Sequence, residues 1–380
     1  MKILDRYILK SFFKNYLISF MVLVGLYIAL DMVFSFGDMT ESSGGANLPV
    51  WRLLFDIGDY YFYQTFVFFV QLSGMITVVA AAFTLMRMSR FNELTALLAS
   101  GVRLQRIALW IIVAGIVLNV GLVPFDQEVV IPPMIPKLIR KHEDMHNPTP
   151  KSYPILAMQD DKGGILFASR YTPPGANTRA HMDVVDIIMT DGSGLPIGKI
   201  RADAADWDAS ADDWKLTGGE FTKILQPDDS HFMPPQKALV YKSDITPDEI
   251  GIWRGGEFVE LLPFRRLTLM LYDTSRQKNY GENQLLRAWN MRLTQPLVNV
   301  ILLLLAIPAV LTREPGRLKF AAARCLTLTG SCMGLVFITY QLSASPPPWC
   351  APQHWPAIMS GLPIVLFGPL AVWLMDRVKT

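Results

Sequence analysis

Cysteines and basic runs are scarce in this chain of 380 residues, and each scarcity excludes a class of protein. The three cysteines, Cys325, Cys332 and Cys350, cannot form a disulfide framework. Two of them lie within an apolar stretch, which favours packing between helices. The net charge is only +2 and no long basic run occurs, so a nucleic-acid partner has no electrostatic support.

Three enzymatic motifs are also missing. The chain has no G-x-x-x-x-G-K-[ST] phosphate loop, no G-x-S-x-G nucleophile elbow and no G-x-G-x-x-G fingerprint. We therefore assign no catalytic residue, and we expect no cofactor and no metal in this chain. If the protein does energy-driven work, a separate subunit must use the ATP and Mg²⁺.

Charged residues are the third scarcity, at 18% of the chain against about 25% in a typical soluble protein. The deficit is uneven. Residues 126–292 hold 44 of the 68 Asp, Glu, Lys and Arg residues, about 26% of those 167 positions. The other 213 positions hold 24, about 11%. This distribution predicts a globular segment inserted into a membrane protein.

Six apolar stretches are long enough to cross a membrane as helices, which takes about 20 residues each. They are Phe12 to Phe36, Phe66 to Met86, Ile107 to Phe125, Leu293 to Thr312, Cys325 to Ser343, and Trp355 to Met375. The first is not a cleavable signal, because Asp31 lies near its far end and no small-residue cleavage pattern follows. An even number of spans puts both termini on the same side.

The counts of lysine and arginine beside the spans predict the orientation. Fourteen such residues lie in the N-terminal segment, in the loops after the second and fourth spans, and in the C-terminal tail. The loops after the first and fifth spans hold one, Arg52. Both termini are therefore expected in the cytoplasm, and the polar segment outside it.

The polar segment has the pattern of a β domain, in which short apolar or alternating runs are separated by turn signals such as Gly218-Gly219. The runs are Ile165 to Ala168, Asp183 to Met189, Trp214 to Thr217, and Ala238 to Tyr241. Their spacing favours a sandwich or a jelly roll over βαβ units. Glu282 to Arg292 is expected to be helical and to lead into the fourth span.

The predicted fold class is therefore membrane α-helical, with six transmembrane helices (3+3) and an inserted extracytoplasmic β-jelly-roll-like domain. Residues 1–125 contain the first three spans, with a short cytoplasmic helix near 89–101. Residues 126–290 form the β domain, and 291–380 contain the last three spans.

One string has the spacing of a metal site. His142-Glu143-Asp144-Met145-His146 is an H-E-x-x-H sequence, which on a helix presents two histidines to zinc with the glutamate as a base. Its context argues against this role, because Asn147-Pro148 follows at once and ends any helix. The alternative is a polar exit from the third span into the β domain.

The loop between the second and third spans is amphipathic. Phe91, Leu94, Leu97 and Leu98 fall on one helical face, Ser89 or Asn92 can cap its start, and Gly101 suits the C′ position just past its end. Such a helix either lies in the lipid interface or docks into a groove on a cytoplasmic ATPase, with Glu93 directed at the partner.

This loop also carries a family resemblance. Glu93-Leu94-Thr95-Ala96-Leu97-Leu98-Ala99-Ser100-Gly101 resembles the E-[LI]-x-x-[ML]-x-A-[SC]-G loop of the lipopolysaccharide-export permeases, the YjgP/YjgQ family (LptF and LptG). Three further strings resemble the same family: Leu4-Asp5-Arg6-Tyr7-Ile8, Glu128-Val129-Val130-Ile131-Pro132, and Trp214-x-Leu216-x-x-Gly219. The N-terminal string leans towards LptG. Residues 257–280 and the Pro346-Pro347-Pro348 loop depart from the family pattern, so we give them no family role.

The resemblance implies a permease that pairs with a second homologous permease and binds a cytoplasmic ABC ATPase dimer. Such permeases extract lipopolysaccharide from the inner membrane, where it enters between the first and fifth spans, and pass it to periplasmic bridge proteins of the LptC/LptA type. Glu93 matches the loop glutamate that engages the ATPase. We assign ATPase coupling to this loop, at Phe91, Glu93, Leu94, Leu98 and Gly101.

Four basic residues beside the membrane are candidates for contacts with lipid phosphates. Arg292 and Arg287 lie where the β domain meets the fourth span, and Lys137 and Arg140 lie after the third. Guanidinium groups bind phosphate bidentately, but interfacial arginines also extend to headgroups without a specific role. Two other function classes stay open: a zinc peptidase using the His142–His146 string, and a permease-like structural or signalling protein.

Overall fold

The computed structural model describes residues 3–34, 50–134, 138, 152–175, 178–191, 195–224, 234–254, 259, 262–272, 282–311 and 318–377. The chain forms two compact units. The first comprises Met1–Phe34, Tyr61–Pro133 and Leu286–Thr380, and contains the apolar helices. The second comprises Ser35–Tyr60 and Met134–Leu285, and contains a β-sheet.

Within the described residues, six helices are long and apolar enough to cross a membrane. The helices are α1 (Ile3–Phe34), α2 (Val50–Arg90, apolar from Ile57), the short α3 (Glu93–Ala99), α4 (Leu104–Met134), α5 (Pro247–Arg254), α6 (Phe264–Tyr272), α7 (Glu282–Val310), α8 (Leu318–Leu342) and α9 (Trp355–Asp376). The six long ones are α1, α2, α4, α7, α8 and α9, so the six predicted spans are confirmed. The expected helical lead into the fourth span is confirmed as well, since α7 begins at Glu282.

The third long helix is irregular in its second half. It is α-helical over Leu104–Ile116 and π-helical over Val117–Leu122 and Asp126–Val130, and it ends in a 3₁₀ turn at Pro132–Met134. Pro124 lies between the two π-helical stretches. Proline removes one backbone donor and clashes with the preceding turn, so the helix widens around it. The helix continues to Met134, so it extends beyond Phe125, where the predicted span ends.

The long helices differ in how much of their surface the protein covers. In α2 and α7, 56% of the most apolar window is buried, and in α4 44%. The share falls to 22% in α8 and α9, and to 11% in α1. Helices α2, α4 and α7 therefore form the packed interior of this unit, whereas the other three expose most of their apolar side chains.

The second unit is built on one antiparallel sheet of eight strands. These are β1 (Tyr153–Gln159), β2 (Ile165–Thr172), β3 (His181–Thr190), β4 (Pro196–Asp208), β5 (Asp213–Thr217), β6 (Glu220–Lys223), β7 (Gln236–Lys237) and β8 (Val240–Tyr241). Strands β1 to β5 pair in sequence order. With this sheet between the third and fourth long helices, the predicted fold class of six transmembrane helices (3+3) with an inserted β domain is confirmed, and the extracytoplasmic location of that domain stays a prediction.

Gly218-Gly219 does not reverse the chain as a turn would. Residues 213–217 pair with 204–208 of β4, and 220–223 continue in the same register along 198–201. Strands β5 and β6 are therefore one strand interrupted by two glycines. A Cβ atom on Gly219 would lie 2.1 Å from the carbonyl oxygen of Ala238 on the neighbouring antiparallel strand, so the close approach of the two backbones requires glycine there.

The core of the β domain lies on one face of this sheet and is centred on aromatic side chains. Trp214 and Tyr171 are almost fully buried, with ring centroids 6.4 Å apart in an edge-to-face arrangement. The indole N–H of Trp214 donates to the carbonyl oxygen of Ile245 at 2.8 Å, which satisfies its one polar group. The Trp214-x-Leu216-x-x-Gly219 string thus places two core side chains next to the close approach of Gly219 to Ala238.

Candidate functional site

The segment between α2 and α4 is closed by a defined turn at each end. Asn92 takes the N-cap position of α3 with φ 57°, and its side chain makes no capping hydrogen bond, so the predicted side-chain cap is absent. At the other end Gly101 has φ 79°. Its N–H donates to Leu98 O, and the N–H of Val102 donates to Leu97 O, each at 3.0 Å. These two bonds form a Schellman motif, with Gly101 at the predicted C′ position.

The four apolar side chains of this segment do not share one environment. Leu94 is 2% exposed and packs inward, whereas Phe91 precedes the helix and is 64% exposed. Leu97 and Leu98 are half-buried. The predicted apolar face is therefore present for Leu94, Leu97 and Leu98, but Phe91 does not belong to it, because the turn at Asn92 takes Phe91 off the helix. Phe91 is the apolar side chain most available to lipid or to a partner.

Glu93, the residue assigned to ATPase coupling, is held by the start of α1. The hydroxyl of Tyr7 donates to the Glu93 carboxylate, 2.9 Å from Oε2 and 3.1 Å from Oε1. Beside it, Arg106 of α4 donates to Asp5, with Nη2 3.2 Å from Oδ1. Sequence reasoning missed both contacts, although the Leu4-Asp5-Arg6-Tyr7-Ile8 string that carries these side chains resembles the family.

The two arginines assigned to lipid phosphates contact other groups of the protein. The side chain of Arg292 is 6% exposed, and its Nη1 lies 3.5 Å from Oε1 of Glu128 on α4. The guanidinium carbon of Arg287 lies 4.0 Å from the centre of the Tyr340 ring on α8, a cation–π distance. Lys137 and Arg140 lie outside the described residues. Contact of any of the four with a lipid phosphate stays a prediction.

Polar side chains join the three buried long helices. Asn299 of α7 donates to the hydroxyl of Ser73 at 2.9 Å, and Asn119 of α4 donates to the hydroxyl of Thr77 at 3.0 Å. These side chains are buried, and within a membrane each needs such a partner. A Cβ atom on Gly74 would lie 2.4 Å from Oδ1 of Asn299, so α2 and α7 approach closely there. The sequence signal for these contacts is a polar or small residue inside an apolar run.

The β domain has a small cavity of about 320 Å³ near the β1–β2 turn. Asp160, which is 2% exposed, lines it together with Lys162, Lys242 and Tyr241. Burial raises the pKa of Asp160, and hydrogen bonds from the Tyr241 hydroxyl (2.6 Å) and the Gly164 N–H oppose that rise. The carboxylate thus ties the first turn of the domain to its last strand. These hydrogen bonds are enough to explain why Asp160 is buried, so the carboxylate has a structural role and needs no bound ligand.

His181 lies between two carboxylates on neighbouring strands. Its Nδ1 is 2.7 Å from Oδ1 of Asp206, and its Nε2 is 3.1 Å from Oδ1 of Asp183. The hydrogen bond to Asp206 raises the pKa of His181, partial burial opposes the rise, and Asp183 adds to it. His181 and its two partners are each about two-fifths exposed, so the cluster lies at the surface of the sheet.

No set of three or more His, Cys, Asp or Glu side chains could hold a metal ion within the described part of the chain. The His142–His146 string falls outside that part. Metal binding by the string therefore stays an open alternative, which the zinc content of the purified protein would test.

Six membrane-spanning helices with an antiparallel sheet domain inserted between the third and the fourth define a multi-pass membrane protein with a 3+3 architecture. The family model of the lipopolysaccharide export system permease LptF/LptG matches residues 6–377. The chain therefore belongs to that permease family, and it is a multi-pass protein of the inner membrane. A comparison with curated proteins gives no match. The family match does not separate LptF from LptG, so the leaning towards LptG stays a prediction.

Proposed function

We propose that this chain is the permease subunit of an ATP-driven exporter that extracts lipopolysaccharide from the inner membrane and passes it to a periplasmic bridge. Family membership supports the permease role and the cargo. The observation that carries the ATP-driven part is the segment 91–101, in which Phe91 lies exposed just before a short helix with a defined end. An exposed aromatic side chain beside a short helix suits docking into an apolar groove.

In this proposal the segment 91–101 and both termini face the cytoplasm. Arg87, Arg90, Arg103 and Arg106 flank the segment, which agrees with the excess of basic residues on cytoplasmic loops. A cytoplasmic ABC ATPase dimer binds there and supplies ATP and Mg²⁺, and this chain catalyses no reaction itself. The β domain then lies in the periplasm and passes the lipid to bridge proteins of the LptC/LptA type.

The unequal burial of the long helices supports pairing with a second homologous permease. Helices α1, α8 and α9 bury little of their apolar surface within the chain, so lipid or another protein must cover it. A lipid passage between the first and fifth spans would lie along α1 and α8, the two exposed helices that the family resemblance implicates.

Co-purification tests the coupling segment. We expect Phe91→Ala combined with Glu93→Ala to lower recovery of the ATPase with the permease by about tenfold, because both side chains would contact the partner. Leu94 is left intact, since it packs inward and its loss would disturb the fold. The matched control, Glu220→Ala on β6, should recover the ATPase fully. Unchanged recovery in the double variant would instead place this helix in the lipid interface.

Photo-crosslinking tests the cargo. A photoreactive residue at Ile18 of α1 or Phe337 of α8, which are 50% and 63% exposed, should form adducts with lipopolysaccharide in membranes. The same residue at Leu303 of α7, which is fully buried, should form none. If the exposed sites give no more adduct than Leu303, the export role is contradicted, and a structural or signalling permease-like protein becomes the better interpretation.

A further inference from the structure

The first turns of α1 contact the coupling segment at Glu93 and, at Arg106, the helix that follows the segment. The Tyr7 hydroxyl bonds to Glu93, the first residue of α3, and the Asp5 carboxylate pairs with Arg106 at the start of α4. Asp5 is 3% exposed, so its charge is buried with a partner in place. Two charge-assisted contacts, one at Glu93 and one at Arg106, therefore connect this stretch of chain to the same turn of α1.

Along the rest of α1, hydrogen bonds connect it to α2. The side-chain amide of Asn15 donates to the Thr84 hydroxyl at 2.8 Å, and the Tyr61 hydroxyl donates to Asp31 at 3.0 Å. Only 11% of the most apolar window of α1 is buried. Because lipid is as apolar as a protein interior, such contacts contribute more to the placement of this helix than apolar burial does.

We propose that Tyr7 and Asp5 are positioning residues that transmit displacement of the coupling segment to the first span. This inference rests on the proposed docking of segment 91–101 to an ATPase. A carboxylate offers about four acceptor sites, so Glu93 keeps its bond to Tyr7 while it accepts another from the partner. When the ATPase moves the segment, Tyr7 and Asp5 carry α1 with it, and α1 is a helix that faces lipid.

The test separates binding from coupling. The complete complex of permease pair and ATPase is reconstituted in vesicles containing lipopolysaccharide, and the amount of lipid extracted per ATP hydrolysed is measured. Tyr7→Phe removes only the hydroxyl group and Asp5→Asn removes only the charge. Each should lower lipid extracted per ATP by about tenfold, the lower end of the range expected for one hydrogen bond to a charged group. For Tyr7→Phe, ATPase recovery and the melting temperature should match the wild type. Asp5→Asn should keep the ATPase but melt lower, because it removes the buried charge that pairs with Arg106, so Tyr7→Phe is the deciding variant.

Tyr27→Phe is the matched control on the same helix. The Tyr27 ring packs on Phe68, with centroids 4.2 Å apart, and phenylalanine keeps that contact. The control should extract as much lipid per ATP as the wild type.

Three results would overturn the inference. If Tyr7→Phe extracts as much lipid per ATP as Tyr27→Phe, Tyr7 transmits nothing. If Tyr7→Phe loses the ATPase, the hydroxyl serves docking, and if its melting temperature falls with the coupling ratio, its role is only structural. Failure of the proposed function is a separate result, in which the Phe91 and Glu93 double variant keeps the ATPase.

Discussion

His181 forms a titratable cluster in the β domain with two carboxylates. Its carboxylate partners Asp206 and Asp183 raise the pKa of His181 above its ordinary value of about 6.5. A raised folded-state pKa means that the contribution to stability is fully present below about pH 6.5 and is lost as pH rises through the folded value. The cluster is partly exposed, so solvent screening keeps the effect small.

We therefore expect His181→Asn to destabilise the protein at pH 5.5 and to be nearly neutral at pH 8. Melting curves of wild type and variant in detergent, recorded between these values, measure the difference. His354→Asn is the control for the loss of an imidazole ring, because the His354 ring makes no ion pair among the described residues. A difference for His181→Asn that grows with pH would contradict the assigned sign.

The structural role of a single residue was predictable where it depends only on residues close to it in the sequence. The place of Gly101 follows from a glycine just after an apolar run, which is the pattern of a helix C-terminus. The contact of Glu93 with Tyr7 was not predictable, since 86 positions separate the two residues. The exposure of Phe91 was missed because the left-handed backbone of Asn92 breaks the helical spacing that placed Phe91 with Leu94.

At the scale of elements, the interrupted strand β5–β6 depends on Gly219. A methyl group there meets the backbone of Ala238, which cannot move without breaking strand pairing. We expect Gly219→Ala to cost about 2–3 kcal/mol, as overpacking of a core does. Thermal unfolding followed by tryptophan fluorescence measures it, because Trp214 lies in the same core.

Gly330→Ala on α8 is the corresponding control. A Cβ atom on Gly330 meets nothing within 4 Å, and alanine is a better helix former than glycine. This variant should melt at or slightly above the wild-type temperature. Equal melting of Gly219→Ala and Gly330→Ala would show that the two neighbouring strands do not approach closely at Gly219 and Ala238.

Helices and strands were easier to predict where their apolar pattern is long and differs clearly from the sequence around it. The long helices stand out because an apolar run of about 20 residues is typical of a membrane span and rare elsewhere. Strand β4 was missed although it has 13 residues, because its inward positions include the small side chains Ala202 and Ala205. Gly218-Gly219 was taken for a turn because the sequence does not distinguish a chain reversal from an interruption of a strand at a close approach to its neighbour.

For the whole molecule, the proposed orientation can be tested with the native cysteines. Cys350 is half-exposed in the connection between α8 and α9, whereas Cys325 and Cys332 are buried. In spheroplasts, a membrane-impermeant maleimide should label Cys350 alone, because burial shields the other two thiols. The Cys350→Ser variant should lose the label.

The opposite side is tested by Ser100→Cys in the Cys350→Ser background. Ser100 is exposed beside the end of α3, so it should be labelled only after the membrane is permeabilised. Labelling of Ser100→Cys in intact spheroplasts would reverse the proposed topology and remove the coupling segment from the cytoplasm.

The contact between Asn299 and Ser73 also has a consequence for biogenesis. The two residues lie 226 positions apart, and ribosomes add about 5–20 residues each second. Helix α2 therefore waits roughly 10–50 s in the membrane before α7 is synthesised. Throughout that interval Ser73 lacks the hydrogen bond that Asn299 donates to it in the folded protein. The nascent first half must be sheltered by lipid or by the insertion machinery until its fourth span arrives.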